Sequence, residues 1–166
     1  GIQGSQGVIG AAGADGADGA AGADGTDGSD AAVPAGHGGT GNTVSATDAF
    51  VGGGNNNTAI ASYSAIGGGR FNEASGGNST VGGGDNNVAG ATYATVGGGN
   101  GNLASDGWST VGGGFNNMAS GQLSTVGGGL SNTASHFSTV GGGRNNDAQA
   151  DYATIAGGGP SDPESN

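Results

Sequence analysis

Cysteine is absent from this chain of 166 residues, and the only side chains with a fixed positive charge are Arg70 and Arg144. The lack of cysteine excludes a disulfide framework and thiolate metal sites. The formal net charge is −11, and a polyanion of this kind repels nucleic acid and anionic membranes. The sequence therefore predicts no nucleic-acid partner.

Large apolar side chains are also scarce, since aromatic residues make up only 5% of the chain. No apolar run approaches the roughly 20 residues that span a bilayer, so membrane insertion is not expected. Glycine, by contrast, occurs 44 times, which is far above ordinary usage and is typical of repetitive or fibrous proteins. Any core must be thin and built from small side chains.

A short repeat fills most of the chain. In each copy a Val or Ile is followed by glycines, and the copies recur at a constant interval with a single step that is one residue shorter. These residues are Val51, Ile66, Val81, Val96, Val111, Val126 and Val140, and Ile155 begins a shortened eighth copy. A fixed period of this kind is typical of solenoids, in which each repeat forms one coil and packs on its neighbours. The residue missing near His136 is expected to shorten one turn without shifting the strands.

Two segments of each repeat have the alternation of a β-strand. In the first, Ser109 and Val111 share one face and Thr110 lies on the other. In the second, an Asn is followed two residues later by an Ala in every copy, so both are predicted to face inward. The glycine runs are expected to provide turns and spacing. The Asn side chains are predicted to form a structural ladder of hydrogen bonds: Asn57, Asn72, Asn87, Asn102, Asn117, Asn132 and Asn146.

These patterns together predict an all-β fold, a parallel β-roll (β-solenoid) of about 15 residues per coil, with two short strands and two turns in each coil. The roll is predicted to span 36–159. Its first coil, 36–50, is interpreted as a degenerate cap in which Asn42 and Ala49 keep the repeat register. Residues 31–35 are interpreted as a joint, and 160–166 as a polar tail.

The N-terminal segment follows a different rule. Glycine occupies every third position from Gly1 to Gly28. Because only glycine fits at the axis of three intertwined polyproline II chains, residues 1–30 are predicted to form a collagen-like triple helix. Asp side chains recur at the third position of these triplets, where they form either a solvated anionic surface or a divalent-cation site. The triple helix and the thin core of the roll each predict a homotrimer.

The repeat Val-Gly-Gly-Gly-x-x-Asn-x-Ala-Ser-Gly-x-x-Ser-Thr resembles the YadA-like head repeats of trimeric autotransporter adhesins, and it is also similar to repeats of phage tail-fibre-like proteins. The Gly-X-Y segment before it resembles bacterial collagen-like sequences. The first resemblance covers about residues 36–159. It implies a left-handed parallel β-roll in a trimer, displayed outside the cell, at the cell surface or on a virion fibre, and used for attachment.

No catalytic constellation is present in the sequence, so neither an enzyme nor a cofactor is expected. His37 and His136 lack Cys or carboxylate partners at ligand spacing, and a metal site is not predicted. The glycine runs lack the Lys and the following helix of a phosphate-binding loop.

One variable column stands three residues before each Val and is predicted to face outward on the side of the threonines. Aromatic residues exposed in a row are typical binding anchors, but packing at a trimer interface or against the ring of the neighbouring coil also explains them and is the favoured interpretation. Copies of the repeat also differ at Phe115, Met118 and Leu130. The column consists of Tyr63, Asn78, Tyr93, Trp108, Leu123, Phe137 and Tyr152.

The sequence thus predicts a non-enzymatic extracellular fibre protein, a structural subunit of a surface appendage or filament with an adhesive role. Its trimers would assemble end to end into filaments. The alternative is a receptor-binding adhesin or phage tail-fibre segment that contacts a cell-surface or glycan receptor. An ice- or polysaccharide-binding solenoid is the alternative from another class, because Thr and aromatic residues recur along the coils.

Overall fold

The chain winds into a parallel β-solenoid. The computed structural model describes residues 38–159, and no helix occurs in this range. The predicted collagen-like segment, the joint, the first residues of the cap coil and the tail at 160–166 lie outside the described residues.

Two parallel sheets of eight strands run along the solenoid, and every strand has two residues. The first, named here the Asn–Ala sheet, contains β1 Thr43–Val44, β3 Thr58–Ala59, β5 Glu73–Ala74, β7 Val88–Ala89, β9 Leu103–Ala104, β11 Met118–Ala119, β13 Thr133–Ala134 and β15 Asp147–Ala148. The second, the Thr–Val sheet, contains β2 Phe50–Val51, β4 Ala65–Ile66, β6 Thr80–Val81, β8 Thr95–Val96, β10 Thr110–Val111, β12 Thr125–Val126, β14 Thr139–Val140 and β16 Thr154–Ile155.

Each strand pairs with its counterpart one coil away. Val111, for example, lies opposite Val96 on one side and Val126 on the other. This register confirms the predicted β-solenoid and the predicted length of its coils. The single shorter step falls in the turn between β13 and β14, and Val126 still pairs with Val140. The prediction of a shortened turn with unshifted strands is therefore confirmed.

A third parallel ladder was not predicted. It consists of one bridged residue per coil, placed between the glycine run and the Asn–Ala sheet. A single extended residue has no alternation pattern, so the sequence carries no signal for it. The ladder contains Thr40, Asn55, Arg70, Asp85, Asn100, Phe115, Leu130 and Arg144.

The core is as thin as the composition predicts. Buried between the two sheets are the Val or Ile of strands β2 to β14 in the Thr–Val sheet and the Ala of the Asn–Ala sheet. Thr110 and its counterparts face outward. The residue two positions before each of these Val or Ile residues is also buried, and it is Ser or Ala: Ala49, Ser64, Ser79, Ala94, Ser109, Ser124 and Ser138. The hydroxyls of Ser124 and Ser138 donate to the carbonyls of Gly121 and Ser135, whereas those of Ser64 and Ser79 have no hydrogen-bond partner. Small volume is therefore the property that all coils share at this position.

Candidate functional site

The buried Asn column ties three coils together at each step. The backbone N and Nδ2 of Asn102 donate to Oδ1 of Asn87 at 3.0 and 3.2 Å. Its Nδ2 also donates to the carbonyls of Gly98 and Gly114 at 2.8 and 2.9 Å. Its own Oδ1 accepts from the backbone N and Nδ2 of Asn117. One side chain thus satisfies polar groups of its own coil and of both neighbours.

The same bonds recur along the whole column. Asn42 begins it, since its Oδ1 accepts from Asn57. At the other end, Asn146 donates to Asn132 across the shorter step, at 3.0 Å from both nitrogens. A residue that could make these contacts must be short, planar and carry both a donor and an acceptor, which only Asn provides at this length.

The glycine runs bring the backbones of successive coils into contact. A Cβ added to Gly112 would lie 2.3 Å from the carbonyl oxygen of Gly127. Gly114 has a φ of 92°, and a Cβ there would lie 2.3 Å from the carbonyl oxygen of Gly129 and 2.7 Å from Nδ2 of Asn117. The runs therefore do more than provide turns and spacing: they permit close stacking and supply the carbonyls that the Asn column bonds.

An exposed column lies in the turn before each Thr–Val strand. We call it the aromatic ridge. Its members lie on the surface, with exposed fractions from 37% at Phe137 to 73% at Tyr152. In the first described coil Asp48 takes the corresponding position, and Asn78 does so in the third. The ridge consists of Tyr63, Tyr93, Trp108, Leu123, Phe137 and Tyr152.

Every ridge residue has a left-handed backbone, with φ between 54° and 61°. This conformation serves the turn, because the amide of Trp108 thereby donates to the carbonyl of Thr92 in the preceding coil at 3.1 Å. It costs a bulky residue roughly 1–2 kcal/mol, and Gly, Asn or Asp adopts it more readily. Folding of the turn therefore does not explain why the chain places aromatic rings here.

Stacking between coils accounts for part of the ridge. The rings of Tyr93 and Trp108 stack with centroids 5.3 Å apart, and those of Phe137 and Tyr152 stack at 5.0 Å. These four residues therefore pack against the ring of a neighbouring coil. The stacking buries only the ring faces that lie between coils, since Tyr93 and Trp108 remain about half exposed.

An ion pair lies on the third ladder. The guanidinium of Arg70 donates from Nε and Nη2 to the carboxylate of Asp85 at 3.2 and 2.6 Å, and it also stands 5.6 Å from the ring centroid of Phe71. The hydrogen bonds hold the pKa of Asp85 below its ordinary value. Because the pKa of Asp85 is lower in the folded protein than in the unfolded chain, its ion pair with Arg70 stabilises the fold at pH values above the pKa of Asp85 in the unfolded chain. This stabilisation is lost as the pH falls through the pKa of Asp85 in the folded protein.

The Arg70–Asp85 contact gives a direct prediction. We expect Arg70→Gln to raise the pKa of Asp85 toward its ordinary value, because the charged donor is removed. The measurement is an NMR titration of the Asp85 carboxyl. Arg144→Gln, on the same ladder at its far end, is the matched control and should leave that pKa unchanged. Equal effects of the two variants would contradict the assignment.

Among residues 38–159 there is no group of three or more His, Cys, Asp or Glu side chains arranged to hold a metal ion. The same range contains no helix long and apolar enough to cross a membrane. A scan of the sequence against models of known protein families found no match, and a search among curated proteins found no similar sequence.

Proposed function

We propose that this protein is a non-enzymatic, extracellular, homotrimeric fibre protein that serves as a structural subunit of a surface appendage or filament with an adhesive role. In this proposal residues 1–30 of three chains form a collagen-like rod, and the solenoid that follows is a left-handed roll. The trimers assemble end to end into filaments.

The observation that carries the proposal is the unbroken Asn column. It links every coil from Asn42 to Asn146 by hydrogen bonds that are buried in the middle of the column and partly buried at its ends, and the paired strands continue alongside it. At about 4.8 Å per coil, eight coils form a stiff rod of roughly 38 Å. A rod of stacked coils, preceded by ten Gly-X-Y triplets, suits a spacer or a fibre.

The adhesive part of the proposal is supported by the aromatic ridge. Large exposed aromatic side chains are the residues that most often anchor contacts with partners. The ridge would contact a cell-surface or glycan receptor, as in a receptor-binding adhesin or a phage tail-fibre segment.

Sedimentation and electron microscopy of the purified full chain test the proposal together. The expected result is a mass of three chains and, at higher concentration, long regular fibres. Isolated trimers that never form fibres would favour the receptor-binding adhesin. A monomer at every concentration would refute the homotrimer and the triple helix with it.

The threonine column favours a second candidate, an ice- or polysaccharide-binding surface. Thr is the outward residue of every Thr–Val strand from β6 to β16. One Thr per coil is a sparse array, and thermal hysteresis of the purified protein measures whether it binds ice. Freezing without hysteresis and a lack of binding to a glycan array would exclude this candidate.

A further inference from the structure

Charged side chains avoid one sheet of the solenoid. Within residues 38–159 none lies in a strand of the Thr–Val sheet or in the glycine run that follows each strand. The charged residues occupy instead the third ladder, the Asn–Ala sheet and the turns that carry the ridge: Arg70, Asp85, Arg144, Glu73, Asp147, Asp48, Asp106 and Asp151. These six acidic and two Arg side chains give residues 38–159 a net charge of −4, and the uncharged sheet approaches a copy of itself with the least repulsion.

The two long edges of the Thr–Val sheet have complementary shapes. Each strand is preceded by a ridge position and followed by a glycine run, as Trp108, Thr110–Val111 and Gly112 illustrate. Because all strands of this sheet are parallel, the ridge lies along one edge and the glycine runs lie along the other. One edge therefore carries the six bulky side chains of the ridge, with Asp48 and Asn78 at the same position in two other coils, whereas the other edge is bare backbone.

We propose that three copies of this chain meet through their Thr–Val sheets, with the aromatic ridge of one copy lying against the glycine runs of the next. This inference rests on the proposed homotrimer and adds the surface that forms it. In a three-fold trimer the same column of each copy lies next to the axis, and charged side chains there would repel one another. The uncharged threonine column can occupy this position. Away from the axis, one edge of each sheet meets the opposite edge of the next copy, so the ridge of one copy contacts the glycine runs of its neighbour.

The occupant of this surface is a second and third copy of the chain because of what precedes the solenoid. Ten Gly-X-Y triplets end at Asp30, shortly before Gly38, and a triple helix delivers three chains to the same point. The sheet face is roughly 38 Å long and about 17 Å wide, or roughly 650 Å² in plan. Each chain of a three-fold trimer divides this face between two neighbours, so each contact has about half that area, below the ~800 Å² per partner of a specific interface. The proposed triple helix therefore adds to the association of the three rolls.

The contact also explains the ridge. Stacking leaves Trp108 51% exposed and Tyr93 48% exposed, at positions where the backbone favours smaller residues. Packing the outward parts of these rings on a bare backbone edge buries apolar surface without displacing any side chain. The cost of the left-handed backbone, which stacking offsets in part within the single chain, is then offset further in the trimer.

The absence of native cysteine makes a cross-linking test direct. Thr110→Cys places a thiol on the outer face of the Thr–Val sheet, and Met118→Cys places one on the outer face of the Asn–Ala sheet as the matched control. After oxidation or treatment with a short bis-maleimide, we expect two of every three chains of Thr110→Cys to migrate as covalent dimers. The Met118→Cys chains should remain single.

Trp108 is the only tryptophan in the chain, so its fluorescence reports on the ridge alone. We expect acrylamide to quench Trp108 several-fold less in the trimer than in Thr110→Glu, which places like charges at the axis and should separate the three rolls from one another. Met118→Glu is the control and should preserve both the trimer and the protection. If Thr110→Glu fails to fold, the urea-unfolded wild-type chain supplies the exposed reference.

Three results would overturn the inference. In the first, the sedimentation mass is that of three chains, but Met118→Cys cross-links or Trp108 is as accessible as in separated rolls. The interface then lies elsewhere, and the proposed homotrimer is retained. A trimer whose Trp108 becomes protected only when a neutral polysaccharide is added assigns the ridge to a glycan. A monomer refutes this inference and the proposed homotrimer together.

Discussion

Replacing Asn102 by Ala is expected to lower the free energy of unfolding by about 3–4 kcal/mol, because the variant loses every hydrogen bond of this side chain. The buried backbone amide of Asn117 and its Nδ2 both lose their acceptor, whereas Oδ1 of Asn87 loses the Nδ2 donor and keeps the backbone amide of residue 102. A buried donor or acceptor that loses its partner costs about 1–3 kcal/mol. The carbonyls of Gly98 and Gly114 also lose a donor. Urea unfolding followed by circular dichroism measures the difference.

Asn100→Ala is the matched control, because it removes the same side chain from the same coil. Asn100 is only partly buried, and its Nδ2 makes one hydrogen bond, of 3.2 Å, to Asp85. Its loss should change the free energy of unfolding by less than about 0.5 kcal/mol. If both variants lost the same stability, the Asn column would have no special part in holding the coils together.

The second large effect is expected from a single methyl group. Gly112→Ala should destabilise the protein by about 3 kcal/mol, because the new Cβ would lie 2.3 Å from the carbonyl oxygen of Gly127. The neighbouring backbone has no room to yield, since Gly127 is itself stacked as closely on Gly141. The clash would push apart two coils that the Asn column holds together. Thermal unfolding and urea titration both report the loss.

Gly107→Ala provides the comparison for this variant. Gly107 lies in the turn before Trp108, where the nearest atom to an added Cβ is the carbonyl oxygen of Thr92 at 3.8 Å, and its φ is not in the left-handed region. The substitution should be neutral or stabilise by about 0.5 kcal/mol through the unfolded chain. A loss as large as that of Gly112→Ala would mean that glycine flexibility, and not close stacking, is what these positions require.

The period of the sequence was enough to predict the coil. Because Val111 and Val126 recur at a fixed interval, they must occupy equivalent places, and alternation then assigns Ser109 to the inside and Thr110 to the outside. The Asn column follows in the same way, since a polar residue that recurs beside a buried Ala needs a partner, and its nearest equivalent is another Asn.

The contacts between coils were much harder to predict. Periodicity says that Gly112 stands over Gly127, but it does not say that their backbones touch. It also gave no sign that Asn100 and Phe115 lie side by side on a third ladder, because residues of such different chemistry share no pattern. The left-handed backbone at Trp108 was hidden for the same reason, as an aromatic residue is a poor signal for that conformation.

The direction of the hydrogen bonds has a mechanical consequence. The bonds of the Asn column and of the sheets run between coils, along the axis of the solenoid. When the two ends of the roll are pulled apart, every contact between successive coils therefore bears the full force. Within one such junction between two coils, all of the hydrogen bonds share that force. A junction that opens releases one coil, about 50 Å of extended chain. A fibre of such rolls would lengthen under force in steps of nearly that size and would absorb energy at each one.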